Sequence, residues 1–280
     1  EGCDRGCSYC AIPLITGRQK SRTIESLVDE VKTLVDGGCS EFQLIAQDLT
    51  SYGRDLGGKV LLAPLLERLS DLPGVRRLRL HYAYPTQFPR EILPIMRERD
   101  NICKYLDIAL QHATDNMLQK MRRNITQLET ERLLDEIRKE VPGIALRTTL
   151  IVGHPGETEQ DFRALCEFIE RRQFERMGAF AYSEEEGTFA AENYQDDISD
   201  EVKQERLDQL MALQEQISSE ALARKVGQIY RIIIDRREGD YFIGRTEFDS
   251  PEVDCEVLVK ATDAPLHIGR FYNARVTCTE

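Results

Sequence analysis

The chain alternates helical and strand-like apolar patterns from residue 23 to about residue 182. A helix is predicted after Thr23, a good capping residue, and Gly37-Gly38 is expected to end it. Strands that alternate with helices of this length are typical of βαβ units and a parallel sheet. The predicted helices lie at residues 24–36, 60–72, 114–123 and 129–139 and after Thr158. The predicted strands are EFQLIA, VRRLRLHYA, YLDIAL, IALRTTLIV and MGAFAY.

The predicted fold class is α/β. Five strands are visible, and a sixth is expected before Cys3, outside the chain. A curved sheet of about six strands closes most simply as an incomplete (β/α)6 barrel, a partial version of the TIM barrel. A long helix is expected from about Asp200 to Arg224. Its predicted apolar stripe comprises Val202, Leu207, Leu210, Met211, Leu213 and Ile217.

Beyond Gly227 the apolar period changes to two, which is typical of strands. The segments QIYRIIIDRR, YFIGRTEF, CEVLVKA and RFYNARVTCT predict four or five short antiparallel strands, separated by Gly, Asp and Pro. This pattern predicts a small C-terminal antiparallel β-barrel. We therefore expect two domains, residues 1–224 and residues 225–280.

The charge of the chain argues against a general nucleic-acid binder. Its net charge is −12, from 37 basic and 49 acidic residues, whereas nucleic-acid binding needs a basic surface. Between Ser183 and Glu201 there are eight acidic residues and no Lys or Arg. This acidic segment is either a solvated face or a docking surface for a basic partner. No apolar run approaches the length that spans a bilayer, so no membrane association is predicted.

The strongest chemical signal is the spacing of Cys3, Cys7 and Cys10 in EGCDRGCSYC. Three thiolates at this spacing can hold three irons of a 4Fe-4S cluster and leave one open iron, where a small molecule can bind. A structural zinc site is the alternative, but zinc usually takes two separated Cys/His pairs, and the sequence has no second Cys-x-x-Cys. The pattern, with Tyr9 before the third cysteine, resembles the signature of radical S-adenosylmethionine (SAM) enzymes.

The other five cysteines are isolated and are predicted to be buried apolar thiols. A cluster-binding loop also needs reduced thiols, and no signal peptide is recognised. Both observations predict a cytoplasmic protein.

Candidate ligand contacts follow the predicted strands, because the chemistry of parallel α/β folds lies at the carboxyl ends of the strands. Gln47 and Gln111 each end a strand and are predicted to reach the same rim. Gly153 opens the loop GHPGET, where glycine permits a close backbone approach and the helix start offers N–H groups to a ligand. An ordinary strand-to-helix turn is the alternative. Arg147 can clamp a ligand carboxylate, or be exposed or paired within the protein.

Basic residues also follow the cysteine loop. Arg18, Lys20 and Arg22 can stabilise an electron-rich cluster, or they can belong to a solvated loop.

These segments together resemble the radical SAM methylthiotransferases over the whole chain, on the strength of EGCDRGCSYCAIP, AQDLTSYG, LDIALQHATDNMLQKMRR, TTLIVGHPGET and AYSEEEGT. The C-terminal barrel is similar to the TRAM domain of these enzymes. One branch modifies an aspartate of a small-subunit ribosomal protein, and the other modifies an adenosine of transfer RNA. CDRGCSYCAIP and GRTEFDSPEVD resemble the ribosomal-protein branch.

The charge of residues 225–280 favours the same branch. They carry eight basic and ten acidic residues, whereas a barrel that grips transfer RNA should be basic. An acidic surface would instead attract a basic ribosomal protein, or the small ribosomal subunit that presents it. Transfer RNA is therefore the less favoured substrate. A non-catalytic metal-binding module that recruits RNA is a further alternative.

The resemblance implies a mechanism and its cofactors. Cys3, Cys7 and Cys10 would hold the 4Fe-4S cluster, and the open iron would bind SAM. A low-potential donor would supply one electron, and the resulting 5′-deoxyadenosyl radical would take a hydrogen from the β-carbon of the aspartate. A second cluster, expected in an N-terminal domain absent from this chain, would supply sulfur. Tyr9 would pack near the adenine, and no residue is assigned as catalytic. The predicted cofactor contacts are Tyr9, Gln47, Gln111, Arg147 and Gly153.

Overall fold

Nine strands form two separate sheets in this computed structural model, which describes residues 1–261 and 265–279. The first sheet has five parallel strands in the spatial order β1-β2-β3-β4-β5. Its two edge strands do not pair with each other within the described residues, so the sheet stays open. This arrangement confirms the predicted α/β class and all five predicted strands. The strands are β1 (Glu41–Leu44), β2 (Arg77–Ala83), β3 (Ile102–Ile108), β4 (Ala145–Val152) and β5 (Arg176–Ala181).

Helices occupy the connections between these strands and follow the last one. Each of the six helices predicted from sequence is present, as α2, α4, α6, α7, α8 and α10. Helices α1, α3, α5 and α9, and a 3₁₀ turn at Leu49–Ser51, were not predicted, because segments of three to seven residues carry little periodicity. Helix α6 is equally short, but it lies within a longer helical pattern at residues 114–123. The helices are α1 (Ile12–Thr16), α2 (Ile24–Asp36), α3 (Arg54–Gly57), α4 (Leu62–Ser70), α5 (Ile92–Glu98), α6 (Asp115–Lys120), α7 (Gln127–Glu140), α8 (Glu159–Arg172), α9 (Phe189–Asn193) and α10 (Asp200–Ala223).

The helix caps expected from sequence are formed. The Thr23 hydroxyl accepts a hydrogen bond from the Ser26 amide at 3.2 Å, which satisfies a free N–H at the start of α2. At the start of α8, the Thr158 hydroxyl accepts from the Asp161 amide at 3.1 Å, and the Asp161 carboxylate accepts from the Thr158 amide at 3.0 Å. This reciprocal capping box fixes where the GHPGET loop ends.

The two faces of the parallel sheet have opposite characters, because successive side chains on a strand point to opposite sides. Leu78, Leu80, Leu106 and Leu146 are fully buried in the main hydrophobic core on the helix-covered face. The other face, inside the curve of the sheet, carries mostly polar side chains. These polar side chains include Glu41, Arg77, Arg79, Tyr105, Asp107, Arg147 and Arg176.

The second sheet is antiparallel, with the spatial order β8-β7-β6-β9. It confirms the predicted C-terminal β unit with four strands, and β6 contains a register shift against β7. Asp263 and Glu280, which contribute to the charge count of this unit, lie outside the described residues. The strands are β6 (Ile229–Glu238), β7 (Tyr241–Arg245), β8 (Val257–Lys260) and β9 (Phe271–Arg275).

One predicted strand segment was partly wrong. Thr246–Phe248 leaves β7 and starts a loop, residues 246–254, which we call the β7–β8 loop. This loop packs on the inner face of the parallel sheet: Arg176 donates to Asp249 at 2.5 Å, and the Tyr105 hydroxyl donates to Asp254 at 2.8 Å. Tertiary contacts with polar strand residues therefore override a local strand pattern. The two sheets pack together through this loop.

The buried face of α10 also differs from its predicted apolar stripe. Leu210 and Ile217 are buried as expected, but Val202 and Met211 are 37% and 39% exposed. Buried polar residues at helical spacing replace them, among them Arg206, which donates to Glu157 at 2.6 Å. Although α10 is the longest helix, neither it nor any other helix of the described residues is long and apolar enough to cross a membrane.

Candidate active site

The three spaced cysteines lie in a single loop before α1. Cys3 is buried, and Cys7 and Cys10 are half-buried. The Cys3 amide donates to the carbonyl of Gly17 at 3.2 Å, and the Cys10 amide donates to the carbonyl of Cys7 at 3.3 Å. The Arg5 amide approaches the Cys3 sulfur at 3.4 Å. These backbone hydrogen bonds fold the segment into a compact loop.

Ser8 anchors this loop to three other elements at the carboxyl ends of the strands. Its amide donates to the carbonyl of Met121 at 3.1 Å, and its carbonyl accepts from the amide of Ala190 at 2.7 Å. Its hydroxyl hydrogen-bonds to Nε2 of His154 at 3.2 Å, and the Ser8 side chain is fully buried. A single buried serine therefore joins the cysteine loop to the end of α6, to α9 and to the GHPGET loop.

Arg5 joins the cysteine loop to the ends of β1 and β2. Its Nε donates to Asp48 at 2.7 Å and its guanidinium donates to the Ser51 hydroxyl at 3.1 Å. The guanidinium also stacks on Tyr84, 4.1 Å from the ring centroid. Because Asp48 is almost completely buried, this ion pair is well shielded from solvent.

Arg123 stacks on the same Tyr84 ring as Arg5. It was not predicted as a site residue. Its guanidinium lies 4.0 Å from the centroid of the Tyr84 ring. One terminal nitrogen lies 3.3 Å from the Cys7 sulfur and donates to the Tyr9 hydroxyl at 3.2 Å, and the other donates to the carbonyl of Ala109. Arg123 is 2% exposed. In sequence, it is only the second residue of an Arg-Arg pair after α6.

Tyr9 thus lies in the site where the sequence placed it, next to Cys7 and Arg123. Its ring also makes an edge contact with His154, with the ring centroids 6.4 Å apart. Burial raises the pKa of Tyr9 well above its usual value, and the Arg123 charge only partly opposes this effect. Tyr9 is therefore a neutral hydrogen-bonding aromatic at physiological pH, which fits its predicted packing role.

Three buried polar side chains, those of Glu157, Arg206 and His112, are joined by hydrogen bonds and stabilise the GHPGET loop. Glu157 accepts from Arg206 at 2.6 Å and from the amide of Gly153 at 2.7 Å, and it bonds to Nε2 of His112 at 3.1 Å. All three side chains are buried. Gly153 has a φ of +72°, and a Cβ there would lie 2.4 Å from the Cγ of Lys203. The glycine is therefore required by backbone conformation and by packing against α10.

Three other N–H groups of this loop, those of Gly156, Glu157 and Thr158, are also engaged within the protein. The Gly156 amide donates to Asp197 at 3.1 Å, and the Thr158 amide donates to its capping partner at 3.0 Å. These bonds match the ordinary strand-to-helix turn that the sequence left as an alternative. A ligand contact at Gly153 stays a prediction, without a free backbone donor to support it.

Gln111 has a feature that points toward a ligand. Its backbone pairs with β4 on both sides, through Thr149 at 2.9 Å and Ile151 at 2.8 Å, and its φ is +71°. Its side-chain Oε1 is buried and has no hydrogen-bond partner among the described residues. Unpaired buried acceptors are costly, so this atom is a candidate for a ligand donor. Gln47, at the end of β1, is exposed.

Arg147 is placed away from the other predicted contacts. Its guanidinium donates to Asp107 at 3.1 Å and lies 3.7 Å from Asp254 of the β7–β8 loop. Six residues of strand, roughly 20 Å, separate Arg147 from Gly153. The structure thus shows the paired arginine that the sequence left as an alternative.

The basic residues after the cysteine loop occupy the surface. Arg18 is highly exposed and pairs with Asp4, and Arg22 is half-exposed and pairs with Glu30. Lys20 is exposed. The alternative of a solvated loop describes all three, and Arg123 is the arginine from outside the loop that contacts a cysteine side chain.

The donor set of the loop fits an iron–sulfur cluster. Burial raises the pKa of the Cys3 and Cys10 thiols, so these sulfurs ionise readily only when a metal binds them. Arg123 places a buried positive charge beside Cys7, where a thiolate-bound cluster would place negative charge. In the described residues, no three His, Cys, Asp or Glu side chains are already grouped as a metal site. Convergence of the three sulfurs on one cluster therefore stays a prediction.

Two family models match the chain. The first, described as the Radical SAM superfamily, matches residues 1–169, and the second, described as the TRAM domain, matches residues 226–280.

Several curated proteins carry the name "Ribosomal protein uS12 methylthiotransferase RimO" and are similar to the chain throughout. The protein from Phocaeicola vulgatus is 61% identical over 280 residues, which cover 100% of this chain and 65% of that protein. The protein from Bacteroides fragilis strain ATCC 25285 is 63% identical over 276 residues, which cover 99% of this chain and 64% of that protein. The chain therefore spans slightly less than two thirds of the length of these relatives.

Solved structures share the fold at low sequence identity. Coproporphyrinogen III oxidase (HemN) from Escherichia coli, described as a radical SAM enzyme, superposes with a TM-score of 0.51 at 14% identity, covering 93% of this chain and 65% of that one. The radical SAM methyltransferase TsrM from Kitasatospora setae, with cobalamin and a [4Fe-4S] cluster bound, gives a TM-score of 0.51 at 22% identity, covering 64% of this chain and 35% of that one. At these identities the likeness establishes the fold.

Proposed function

The chain belongs to the radical SAM superfamily, and from this premise we propose that it is the catalytic and C-terminal part of a methylthiotransferase. Its proposed substrate is an aspartate of ribosomal protein uS12, which would be methylthiolated at its β-carbon. The observation that carries this proposal is the 61% identity, over the entire chain, to a protein with that named activity. We further propose that residues 1–224 form the catalytic domain and residues 225–280 the TRAM domain.

Cys3, Cys7 and Cys10 would hold the cluster of this enzyme. A 4Fe-4S cluster bound by three cysteines has an open iron that can bind SAM and supply the electron for its reductive cleavage. The contribution of the chain is to hold these ligands in place. The buried Ser8 hydrogen bonds support this role, since they fix the cysteine loop against three rigid elements.

Gln111 and Tyr9 are the proposed SAM contacts with most support. The unpaired Oε1 of Gln111 can accept a hydrogen bond, and Tyr9 offers an aromatic ring beside Cys7. Gln47 and Gly153 remain proposed contacts on position alone, at the ends of β1 and β4. Arg147 receives least support, because Asp107 already binds its guanidinium.

The acidic segment, residues 183–201, supports a basic protein partner. Glu184, Glu185 and Glu186 are consecutive and exposed, whereas Asp196 pairs with Lys203 at 2.5 Å and Asp197 accepts from Gly156. Only part of the segment is therefore free to attract a partner. An exposed negative cluster favours a lysine- and arginine-rich protein and disfavours transfer RNA.

The remaining proposals concern parts of the system beyond this chain. We propose a second 4Fe-4S cluster in an N-terminal domain, a low-potential electron donor, and a cytoplasmic location. All eight cysteines are free, which is compatible with a reducing compartment.

The test uses the full-length enzyme with both clusters reconstituted anaerobically. It is incubated with SAM, a reductant and either uS12 within small subunits or unmodified transfer RNA, and the products are analysed by mass spectrometry. We expect methylthiolation of one uS12 aspartate and no change in the transfer RNA. The matched control is the Cys7→Ala enzyme, which should modify neither. Methylthiolated transfer RNA with unmodified uS12 would refute the substrate, and no product on either would refute the activity.

A further inference from the structure

Arg123 is a buried positive charge without an anionic side chain to balance it. The side chain is 2% exposed, and no Asp or Glu forms an ion pair with it among the described residues. Its hydrogen-bond partners are the carbonyl of Ala109, the Tyr9 hydroxyl and the Cys7 sulfur. Its Nε–H is buried and has no acceptor within the part of the chain that the structure describes.

Such a charge is costly to bury unless an anion compensates it. The other buried arginines of the site have this compensation: Arg5 pairs with Asp48, and Arg206 pairs with Glu157. Cys7 is the only sulfur in hydrogen-bond range of Arg123 among the described residues, at 3.3 Å. A negative charge that compensates Arg123 would therefore lie beside Cys7.

We propose that Arg123 is the electrostatic partner of the cluster and raises its reduction potential by favouring the reduced, more negative form. The inference rests on the proposed cluster at Cys3, Cys7 and Cys10. One electron from a chemical donor such as dithionite enters the cluster and makes it more negative by one charge, while the donor is oxidised. A fixed positive charge at short range in a buried site stabilises that added charge.

Tyr84 holds Arg123 in place, since it stacks between two guanidiniums. The centroid of its ring lies 4.0 Å from Arg123 and 4.1 Å from Arg5, and its hydroxyl lies 3.3 Å from the carbonyl of Arg123. Arg5 is in turn fixed by Asp48. Arg123 is thus a positioning and electrostatic residue, distinct from the three metal ligands.

The test is a redox titration of the reconstituted chain, followed by visible absorbance and electron paramagnetic resonance. Arg123→Gln removes the charge, and Arg123→Lys retains it. The matched control is Arg122→Gln, which removes the same charge from the exposed neighbouring residue, whose guanidinium stacks on Phe189. At a fixed solution potential, we expect Arg123→Gln to lower the ratio of reduced to oxidised cluster at least tenfold, which is 59 mV for a one-electron couple. We expect Arg122→Gln and Arg123→Lys to remain within threefold of the unmodified protein.

Several outcomes separate this inference from the proposed function. If the unmodified chain binds no cluster, the proposed function fails at its first step. If it binds a cluster and Arg123→Gln leaves the ratio within threefold, the inference is wrong and the cluster assignment stands. If Arg123→Gln does not fold by circular dichroism, Arg123→Met replaces it as the neutral variant: a ratio at least tenfold lower supports the role of the charge, and a ratio within threefold overturns it.

Discussion

The two ends of the parallel sheet both bury arginines, but they neutralise them differently. Toward the amino ends, four buried arginines and the half-buried Arg147 all have carboxylate partners; the buried ones are Arg77, Arg79, Arg176 and, from β7 of the second sheet, Arg245. Their partners come from the sheet and from the C-terminal unit, including Glu41 and Asp249. At the carboxyl ends, Arg5 and Arg206 are likewise paired with carboxylates, but Arg123 has no carboxylate partner among the described residues.

This difference distinguishes arginines that stabilise the fold through internal ion pairs from an arginine that is available to a bound group. A network in which every buried charge has an opposite partner needs no bound ion to compensate it, although Arg79 Nε, Arg176 Nε and Asp107 Oδ1 at the amino ends have no hydrogen-bond partner among the described residues. An incomplete one indicates that a charge is to be supplied by something that binds, which is why unbalanced buried groups are candidates for functional sites. The amino ends are therefore interpreted as a domain interface, and the carboxyl ends as the cofactor site.

The largest expected difference between the two ends is in iron binding after one cysteine is replaced at each end. Cys7→Ala removes a proposed ligand at the carboxyl ends, whereas Cys103→Ala changes a fully buried thiol at the amino ends. After anaerobic reconstitution, Cys103→Ala should retain about four irons per chain. Cys7→Ala should lose the cluster and its brown absorbance. Iron analysis and the visible spectrum check both results, and a full iron content in Cys7→Ala would contradict the assignment.

Substitutions at the amino ends should instead lower the free energy of unfolding. Asp249→Ala removes the hydrogen-bonded carboxylate of Arg176 at 2.5 Å and leaves only Asp254 at 3.9 Å, and removing one member of a buried pair typically costs about 3 kcal/mol or more. The control is Glu238→Ala, which breaks an exposed pair with Arg236 and should cost less than about 1 kcal/mol. Urea unfolding measures both free energies. Equal losses in the two variants would mean that the interface network contributes little.

Lowering the pH should reduce the free energy of unfolding through groups at both ends of the sheet, but in different pH ranges. Burial lowers the pKa of His154 from 6.5 to about 4, so the unfolded chain takes up a proton in this range and the folded chain does not. The free energy of unfolding should therefore fall by up to about 3 kcal/mol as the pH decreases from 6.5 to 4. Burial alone would raise the pKa of Glu41, but hydrogen bonds from Arg245 and the nearby arginine charges lower it below 4.5. Its contribution should be lost only as the pH falls below 4.5.

Two variants identify these groups in urea unfolding across pH 3 to 7. His154→Gln should flatten the pH dependence above about pH 4, and Glu41→Gln should flatten it below about pH 4.5. If His154→Gln retains the full slope between pH 6.5 and 4, another group is responsible for it.

The smallest expected effect lies outside both ends, on the exposed part of the acidic segment. Changing Glu184, Glu185 and Glu186 to Lys in the full-length enzyme should slow association with uS12-containing subunits about tenfold at low salt, and much less at high salt. Stopped-flow association at two salt concentrations measures this. The control changes three exposed acidic residues elsewhere, Glu91, Asp240 and Glu252, and should leave the rate nearly unchanged. Equal slowing by both triple variants would indicate a net-charge effect without a docking surface.

The sequence by itself determined the elements and the ligand types. Periodicity placed the five parallel strands and six of the helices, because these elements bury apolar side chains at a regular spacing. The cysteine spacing was sufficient to identify candidate ligands, because all three lie within one short loop and their proximity follows from the chain itself. Tyr9 lies in the same loop, so its position near the cysteines also follows from the sequence.

Only the tertiary structure decided which distant residues meet. Arg123 follows Arg122 in sequence, and nothing local tells which of the two is buried beside Cys7, 116 residues away. Arg147 appears equally suited to a ligand carboxylate until Asp107 and Asp254 are found around it. Thr246–Phe248 has a strand pattern, yet it leaves the sheet because buried polar groups at the amino ends bind the β7–β8 loop. Charge compensation acts through space, and a residue's position along the chain does not reveal its partner.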